Sequence, residues 1–234
     1  MIQVIRSQER YNANYGWLDA KYSFSFNRYY DPNNLQFGSL RVFNEDQIQP
    51  GAGFGMHSHD NMEIITYVIS GALEHQDSLG NKGIIQAREL QRMTAGSGIM
   101  HSEYNASKSE PLHLLQIWFI PNQMNLTPSW EQKKFPQTEL RNQLLPVVSG
   151  NSESGMLSIH QDLTIFLSTC DAGKEIEYQS ANQRSLYLFV IDGQIQLNEQ
   201  HTLSQGDTAR ITQLSQLQIK NEQDSHWMLI DLAE

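Results

Sequence analysis

The chain repeats one short pattern, and this repeat restricts the folds that are open to it. Residues 67–74 (Tyr-Val-Ile-Ser-Gly-Ala-Leu-Glu) resemble residues 189–196 (Phe-Val-Ile-Asp-Gly-Gln-Ile-Gln), 122 positions later. Further along, residues 87–92 resemble residues 205–210, at the slightly smaller offset of 118. Each copy has a strand-like run, a glycine turn, a second run and an acidic turn. Two copies of one β unit explain 234 residues better than a single large barrel.

The remaining sequence has the pattern of an all-β protein. Short apolar runs rich in Val, Ile, Tyr, Phe and Trp recur between turn residues, as in sandwiches and barrels. No long stretch has helical periodicity, and a short helix or an irregular linker is expected only around residues 127–145. The domain boundary is expected within residues 122–149, which lack regular alternation. We therefore predict an N-terminal domain over residues 1–135 and a C-terminal domain over residues 136–234.

Composition narrows the classes of function. The chain has 26 acidic and 16 basic residues, a net charge of -10, and its longest basic run is Lys133-Lys134. The electrostatic repulsion between this negative charge and a phosphate backbone disfavours direct nucleic-acid binding. The chain has one cysteine, Cys170, so no intrachain disulfide can form, which fits a reducing, cytoplasmic location. Cys170 itself is expected to be a core residue. No signal peptide and no membrane-spanning apolar segment are expected.

Four candidate metal ligands form two pairs, His57 with His59 and His101 with Glu103. Residues i and i+2 of a strand point to the same face, about 6.6–6.8 Å apart. Two facing strands could therefore direct three imidazoles and one carboxylate at one point. This donor set suits a first-row divalent metal and leaves positions open for substrate or O₂. A structural site with four cysteines is excluded, because the chain has one.

These pairs lie in motifs that resemble the two cupin boxes, Gly51-x5-His57-x-His59-x3-Glu63 and Gly98-x2-His101-x3-Asn105. More narrowly, the chain resembles the pirin family of bicupins, strongly over residues 1–135 and weakly beyond. The resemblance implies an all-β bicupin with two double-stranded β-helix (jelly-roll) barrels. The further segments that carry it are residues 16–19, 24–26, 30–32, 74–78, 96–103 and 116–118.

The resemblance also implies where the metal binds. It assigns the metal to His57, His59, His101 and Glu103, and it leaves Glu63 as a neighbour or spare ligand. One departure is Gly96, which replaces a usual proline and affects the rigidity of the turn. The corresponding positions of the second copy are Gln179, Ala181, Ile219 and Asn221, so the C-terminal domain is expected to be structural and metal-free.

Pirin-like proteins resemble quercetin 2,3-dioxygenases, which implies O₂-dependent cleavage of a flavonol. A monomer is expected, because two paired domains can cover each other's open sheets. Fe(II) is the expected metal, and Mn, Co, Ni, Cu or Zn suit the same donors. Glu103 could neutralise metal charge or accept the substrate proton as a general base. Two alternatives stay open: a non-catalytic, iron-dependent regulator that binds proteins, and another cupin reaction such as isomerisation.

Aromatic residues near the motifs are candidates for the wall of a substrate pocket, although core packing is the alternative for each. The candidates are Phe24, Phe26, Phe54, Tyr67, Gln116 and Trp118. The remaining histidines are expected to be ordinary surface residues or hydrogen-bonded core residues. They are His75, His113, His160, His201 and His226.

Overall fold

The computed structural model describes residues 1–151, 155–181 and 184–233, and its regular secondary structure is almost entirely strand. The all-β prediction is confirmed. Within the described residues, no helix is long and apolar enough to span a membrane. The strands are β1 (Ile2–Ile5), β2 (Tyr11–Asn14), β3 (Leu18–Tyr22), β4 (Leu40–Ile48), β5 (Gly53–His59), β6 (Glu63–Ser70), β7 (Ala72–Asp77), β8 (Lys82–Gln86), β9 (Glu89–Thr94), β10 (Ile99–Asn105), β11 (Leu112–Phe119), β12 (Ser129–Lys134), β13 (Leu145–Ser149), β14 (Leu157–Ser158), β15 (Leu163–Cys170), β16 (Glu175–Gln179), β17 (Arg184–Asp192), β18 (Gln194–Leu197), β19 (His201–Ser204), β20 (Thr208–Ile211), β21 (Gln216–Asn221) and β22 (Ser225–Ala233).

The chain forms two compact units. The N-terminal unit contains Tyr11–Lys134 and Ile159–Gln161, and the C-terminal unit contains Met1–Arg10, Phe135–Ser158 and Asp162–Glu234. The first ten residues thus belong to the C-terminal unit, because β1 pairs antiparallel with β20.

The two units share most of their strand order, which explains the internal repeat. The N-terminal unit has one sheet in the order β5-β10-β7-β8 and a second in the order β12-β9-β6-β11-β4-β3-β2. The C-terminal unit has β16-β21-β18-β19 and β1-β20-β17-β22-β15-β13-β14, and its strands match those of the N-terminal unit position by position as far as β15. Beyond β15 the units differ, because β13 and β14 pair in parallel whereas β3 and β2 are antiparallel. In this correspondence β1 occupies the edge that β12 occupies in the other unit. The first strand of the chain therefore completes the second copy of the fold.

Each unit has its own apolar core between its two sheets. In the C-terminal unit, Leu188 and Leu229 of the larger sheet cluster with Leu197 and Ile219 of the smaller one. In the N-terminal unit, Val68 and Leu114 cluster with Leu73 and Ile85 in the same way. Burying apolar side chains is the main favourable contribution to folding, so each pair of sheets is held by its own core.

The region between the repeats contains more regular structure than its sequence indicated. A four-residue helix, α1 (Gln137–Leu140), falls where a short helix was expected. Strand β12, however, was missed, although it pairs with β9 along its whole length. Its six residues show no simple alternation of buried and exposed positions, so the period-two signal of a strand is weak there.

Candidate metal centre

The candidate ligands lie on two neighbouring strands, β5 and β10, and β7 lies on the other side of β10. Residues of β10 alternate, so that His101 and Glu103 are buried while Met100 and Tyr104 are exposed. His101 pairs with His57 across β5. The register shifts between His101 and Glu103, which marks a β-bulge. Bulges re-aim side chains near functional sites.

Three imidazoles converge at one point. His101 Nε2 and His57 Nε2 are 3.0 Å apart, and one nitrogen from each of His57, His59 and His101 lies within 4.8 Å of the others. His57 Nδ1 is 2.8 Å from the carbonyl oxygen of Gly55. Because a carbonyl only accepts, Nδ1 carries the proton, and the lone pair of the neutral ring is on Nε2. The Nε2 atom of His57 therefore faces His101 as a donor to a metal.

The chemistry of these donors fits a divalent cation. Two nitrogens each about 2.1 Å from one ion, at a right angle, would lie about 3.0 Å apart, and the separation of His57 Nε2 from His101 Nε2 is 3.0 Å. His59 Nε2 is buried and has no hydrogen-bond partner among the described residues. Burial lowers the pKa of His59 to about 4 and that of His101 to about 3, and neighbouring histidines add to both effects. The rings of His59 and His101 are therefore neutral near pH 7, as metal ligation requires.

Glu103 is held by amide groups from the larger sheet. Gln91 Nε2 donates to Glu103 Oε1 at 2.5 Å, and Gln116 Nε2 donates to Oε2 at 2.6 Å. Thr66 Oγ1 also approaches Oε1, at 3.4 Å. Burial raises the pKa of Glu103, while the charges of neighbouring histidines and the amide donors act in the opposite direction. A carboxylate oxygen has two lone pairs, so Oε2 keeps one for a cation or a substrate proton. Oε1 also keeps one when the hydroxyl of Thr66 donates to Gln116 Oε1 instead.

Two tryptophans orient these amides. Trp130 Nε1 donates to Gln91 Oε1 at 2.9 Å, and Trp118 Nε1 approaches Gln116 Oε1 at 3.4 Å. An indole N–H can only donate, so each glutamine must turn its oxygen to the indole and its NH₂ group to Glu103.

The glutamines belong to one polar row that crosses the inner face of the larger sheet. Cross-strand pairs link Gln91 to Thr66, Thr66 to Gln116 and Gln116 to Asn44. The row continues from Asn44 to Tyr22 on β3. Of this row, sequence reasoning identified only Gln116, as a candidate for the pocket wall, because the members come from five separate strands and show no local spacing.

His75 also lies beside the candidate ligands, which sequence reasoning did not predict. It is fully buried, it pairs with Glu103 across β7 and β10, and its ring stacks on Trp130 at 5.2 Å between centroids. Donor atoms of His75, His101 and Glu103 lie within 4.8 Å of one another. His75 has no ligand partner two residues away, so only the strand register reveals its place beside the candidate ligands.

Glu63, the neighbour or spare ligand of the first motif, lies outside the cluster of candidate ligands. Neither of the two donor groups found among the described residues includes it. Its carboxylate accepts a hydrogen bond from Thr94 Oγ1 at 3.1 Å and one from the backbone N–H of His160 at 3.3 Å. Glu63 sits on β6 of the larger sheet, opposite Thr94, whereas the histidines sit on the smaller sheet.

The candidate ligands open onto a cavity of about 550 Å³, within the range of about 300–1,000 Å³ that is typical of small-molecule sites. Of the expected wall residues, Phe26, Phe54, Gln116 and Trp118 line it, whereas Phe24 and Tyr67 are buried elsewhere in the unit. The complete wall is Tyr15, Trp17, Leu18, Tyr22, Phe26, Asn27, Asn44, Asp46, Phe54, His57, His59, Ile64, His101, Glu103, Gln116 and Trp118.

The fold and the site together define a bicupin whose N-terminal unit has a His/Glu cluster that could bind one metal ion. Residues 4–119 match the model of the Pirin family, and residues 146–232 match the quercetinase C-terminal cupin domain. The quercetin 2,3-dioxygenase of Escherichia coli K12 is 42% identical over 232 residues, 99% of each chain. A pirin-like protein of Caulobacter vibrioides is 41% identical, covering 94% of this chain and 95% of the relative.

The similarity to pirins extends to a solved structure. The crystal structure of the bacterial pirin YhhW from Escherichia coli in complex with nickel(II) superposes with a TM-score of 0.95. It is 41% identical in sequence and covers 100% of this chain and 99% of that one. The chain belongs to the pirin family, as its sequence motifs indicated.

Proposed function

We propose that this protein is a metal-dependent dioxygenase that opens the heterocycle of flavonols such as quercetin. The observation that carries the proposal is the placing of His57, His59, His101 and Glu103 in the wall of one aromatic cavity. Full-length similarity to a quercetin 2,3-dioxygenase supports the same substrate class. In the overall reaction, one O₂ is consumed and one carbon monoxide leaves for each ring that is opened.

His57, His59, His101 and Glu103 would hold one divalent metal. Fe(II) is our first choice, and the nickel(II) complex of the bacterial relative indicates that such sites accept other ions. When bound, the metal supplies a Lewis acid that lowers the pKa of the flavonol 3-hydroxyl and makes the ring reactive towards O₂.

The cavity wall suits a flat aromatic ligand. Phe26 packs edge-on against Trp118, with centroids 5.4 Å apart, and Trp17 packs edge-on against Phe54 at 5.1 Å. Trp118 also contacts the ring of His59, at 4.8 Å. These rings offer both faces and edges to a bound flavonol. They also keep water away from the reacting carbon atoms.

Glu103 has two roles open to it. As a metal ligand, its charge would offset that of the cation. As a general base, it would accept the proton of the 3-hydroxyl, and the burial that raises its pKa makes it a stronger base. A Glu103→Gln variant separates these roles, since full activity with bound metal would eliminate the base.

Oxygen uptake tests the proposal. Metal-free protein is reconstituted with Fe(II) and given quercetin, while O₂ loss and carbon monoxide release are measured together. We expect equal amounts of both gases and no turnover in His59→Ala. Absence of turnover in protein that holds one metal per chain would refute flavonol dioxygenation. The iron-dependent regulator would then be tested by partner capture with iron in each oxidation state.

A further inference from the structure

Two acceptor side chains interrupt the largely aromatic and aliphatic part of the cavity wall. Asn44 and Asp46 lie two residues apart on β4, so they point to the same face of the strand. Both line the cavity, and each is only 3% exposed.

Asn44 carries an unused hydrogen-bonding atom. Its Oδ1 is buried and accepts no hydrogen bond from any residue in the described part of the chain. A buried acceptor without a partner is unfavourable, so in a cavity wall it needs a water molecule or a ligand as its donor. Asn44 therefore marks a position where a bound ligand should donate.

This position is close to the candidate metal ligands. Asn44 pairs with Gln116 on the neighbouring strand, about 4.8 Å away in the sheet. Gln116 in turn donates to Glu103. A ligand that reaches the histidines and Glu103 can therefore reach Asn44 with another part of its ring system, and Asp46 lies further along the same strand.

We propose that Asn44 and Asp46 form a hydroxyl-recognition subsite, which selects flavonols that carry hydroxyl groups besides the 3-hydroxyl. This inference rests on the proposed function. An amide oxygen and a carboxylate accept, and a phenolic hydroxyl donates. A flavonol without that hydroxyl leaves Asn44 Oδ1 without a hydrogen-bond donor, and its affinity falls.

Equilibrium binding without turnover tests the subsite. Quercetin and 3-hydroxyflavone share the metal-binding group and the ring system, but 3-hydroxyflavone has no other hydroxyl. Each is titrated into Ni(II)-loaded protein without O₂, and tryptophan fluorescence reports binding. We expect wild-type protein to prefer quercetin by about ten-fold or more. Asn44→Leu should bring the ratio close to one, mainly by weakening quercetin.

Two further variants keep the test decisive. Asp46→Asn preserves the shape of the side chain and should reduce the preference in part. Ile64→Val trims an aliphatic part of the wall and should change both affinities by the same factor. Folded Asn44→Leu and Asp46→Asn that keep the full preference would overturn the subsite alone. Failure of both flavonols to bind wild-type protein would overturn the proposed function and the subsite with it.

Discussion

The side-chain amide of Gln91 lies 2.5 Å from Glu103 Oε1 and reaches it from the opposite sheet. Trp130 fixes the orientation of this amide by donating to Gln91 Oε1. Gln91 and Trp130 lie on the larger sheet, away from the strands that carry the histidines. They therefore position the carboxylate that is expected to complete the metal site.

Gln91→Leu should weaken the metal site while the protein stays folded. Removing the amide leaves Glu103 Oε1, among the residues that the structure describes, with only the long contact from Thr66. Loss of such a supporting hydrogen bond commonly lowers metal affinity or activity by about 10–100-fold. Competition with a chelator measures the affinity, and circular dichroism checks the fold.

Trp130→Phe and Gln132→Leu are the matched variants. Trp130→Phe retains an aromatic ring beside His75 but removes the N–H that orients Gln91, so it should cause a smaller loss in the same direction. Gln132 is exposed on β12, and its replacement should leave affinity unchanged. Equal affinities in all variants would show that the amide does not position Glu103.

Gly193 should tolerate alanine worse than Gly173. Both have positive φ, +81° and +79°, where alanine costs about 1–2 kcal/mol. At Gly193, an added Cβ would also lie 2.2 Å from the carbonyl oxygen of Asp224, whereas at Gly173 nothing lies within 4 Å. Urea denaturation should therefore show a larger loss for Gly193→Ala. Similar losses of stability in the two variants would contradict the close approach of Gly193 to Asp224.

Leu229→Ala should destabilise the C-terminal unit without touching the metal site. Leu229 is fully buried in the core of that unit, and such truncations cost about 2–5 kcal/mol. Denaturation should reveal the loss, while the number of metal ions bound per folded chain should not change. A fall in this number would mean that the C-terminal core also supports the metal centre.

The thiol of Cys170 should react slowly in the native protein. It is 4% exposed, and burial raises its pKa. A raised pKa leaves less thiolate, which is the reactive form. Ellman's reagent should label the thiol fully in denaturant and only slowly without it. Rapid labelling of folded protein would contradict its burial.

Much of this architecture could be predicted from local patterns. The spacing of His57 and His59 follows the two-residue period of a strand, and the structure places both on β5. The glycine shared by the two repeats is Gly71 in one copy and Gly193 in the other, and both have positive φ in the same kind of turn. Short-range sequence rules capture such features because strand period and turn geometry are local.

The remaining features depend on strand register. His75 enters the site only because β7 pairs with β10, and Gln91 meets Glu103 only because two sheets face each other. Glu63 matched a cupin motif but bonds with Thr94, its neighbour across the larger sheet. The N-terminal strand β1 pairs with β20, about two hundred residues away. Pairing between strands that are far apart in the chain produces no regular spacing of residues in the sequence, so local patterns cannot predict it.

Binding of one metal ion at the histidine cluster of the N-terminal unit can be measured by a titration with cobalt. Apo-protein is titrated with Co(II), and visible absorption follows the bound ion. His59→Ala is compared with His113→Ala, whose ring pairs with Glu45 instead. We predict one Co(II) per wild-type chain, unchanged binding in His113→Ala, and a loss of about 100-fold or more in His59→Ala. Equal binding by His59→Ala, or two ions per wild-type chain, would show that the histidine cluster is not the single metal site.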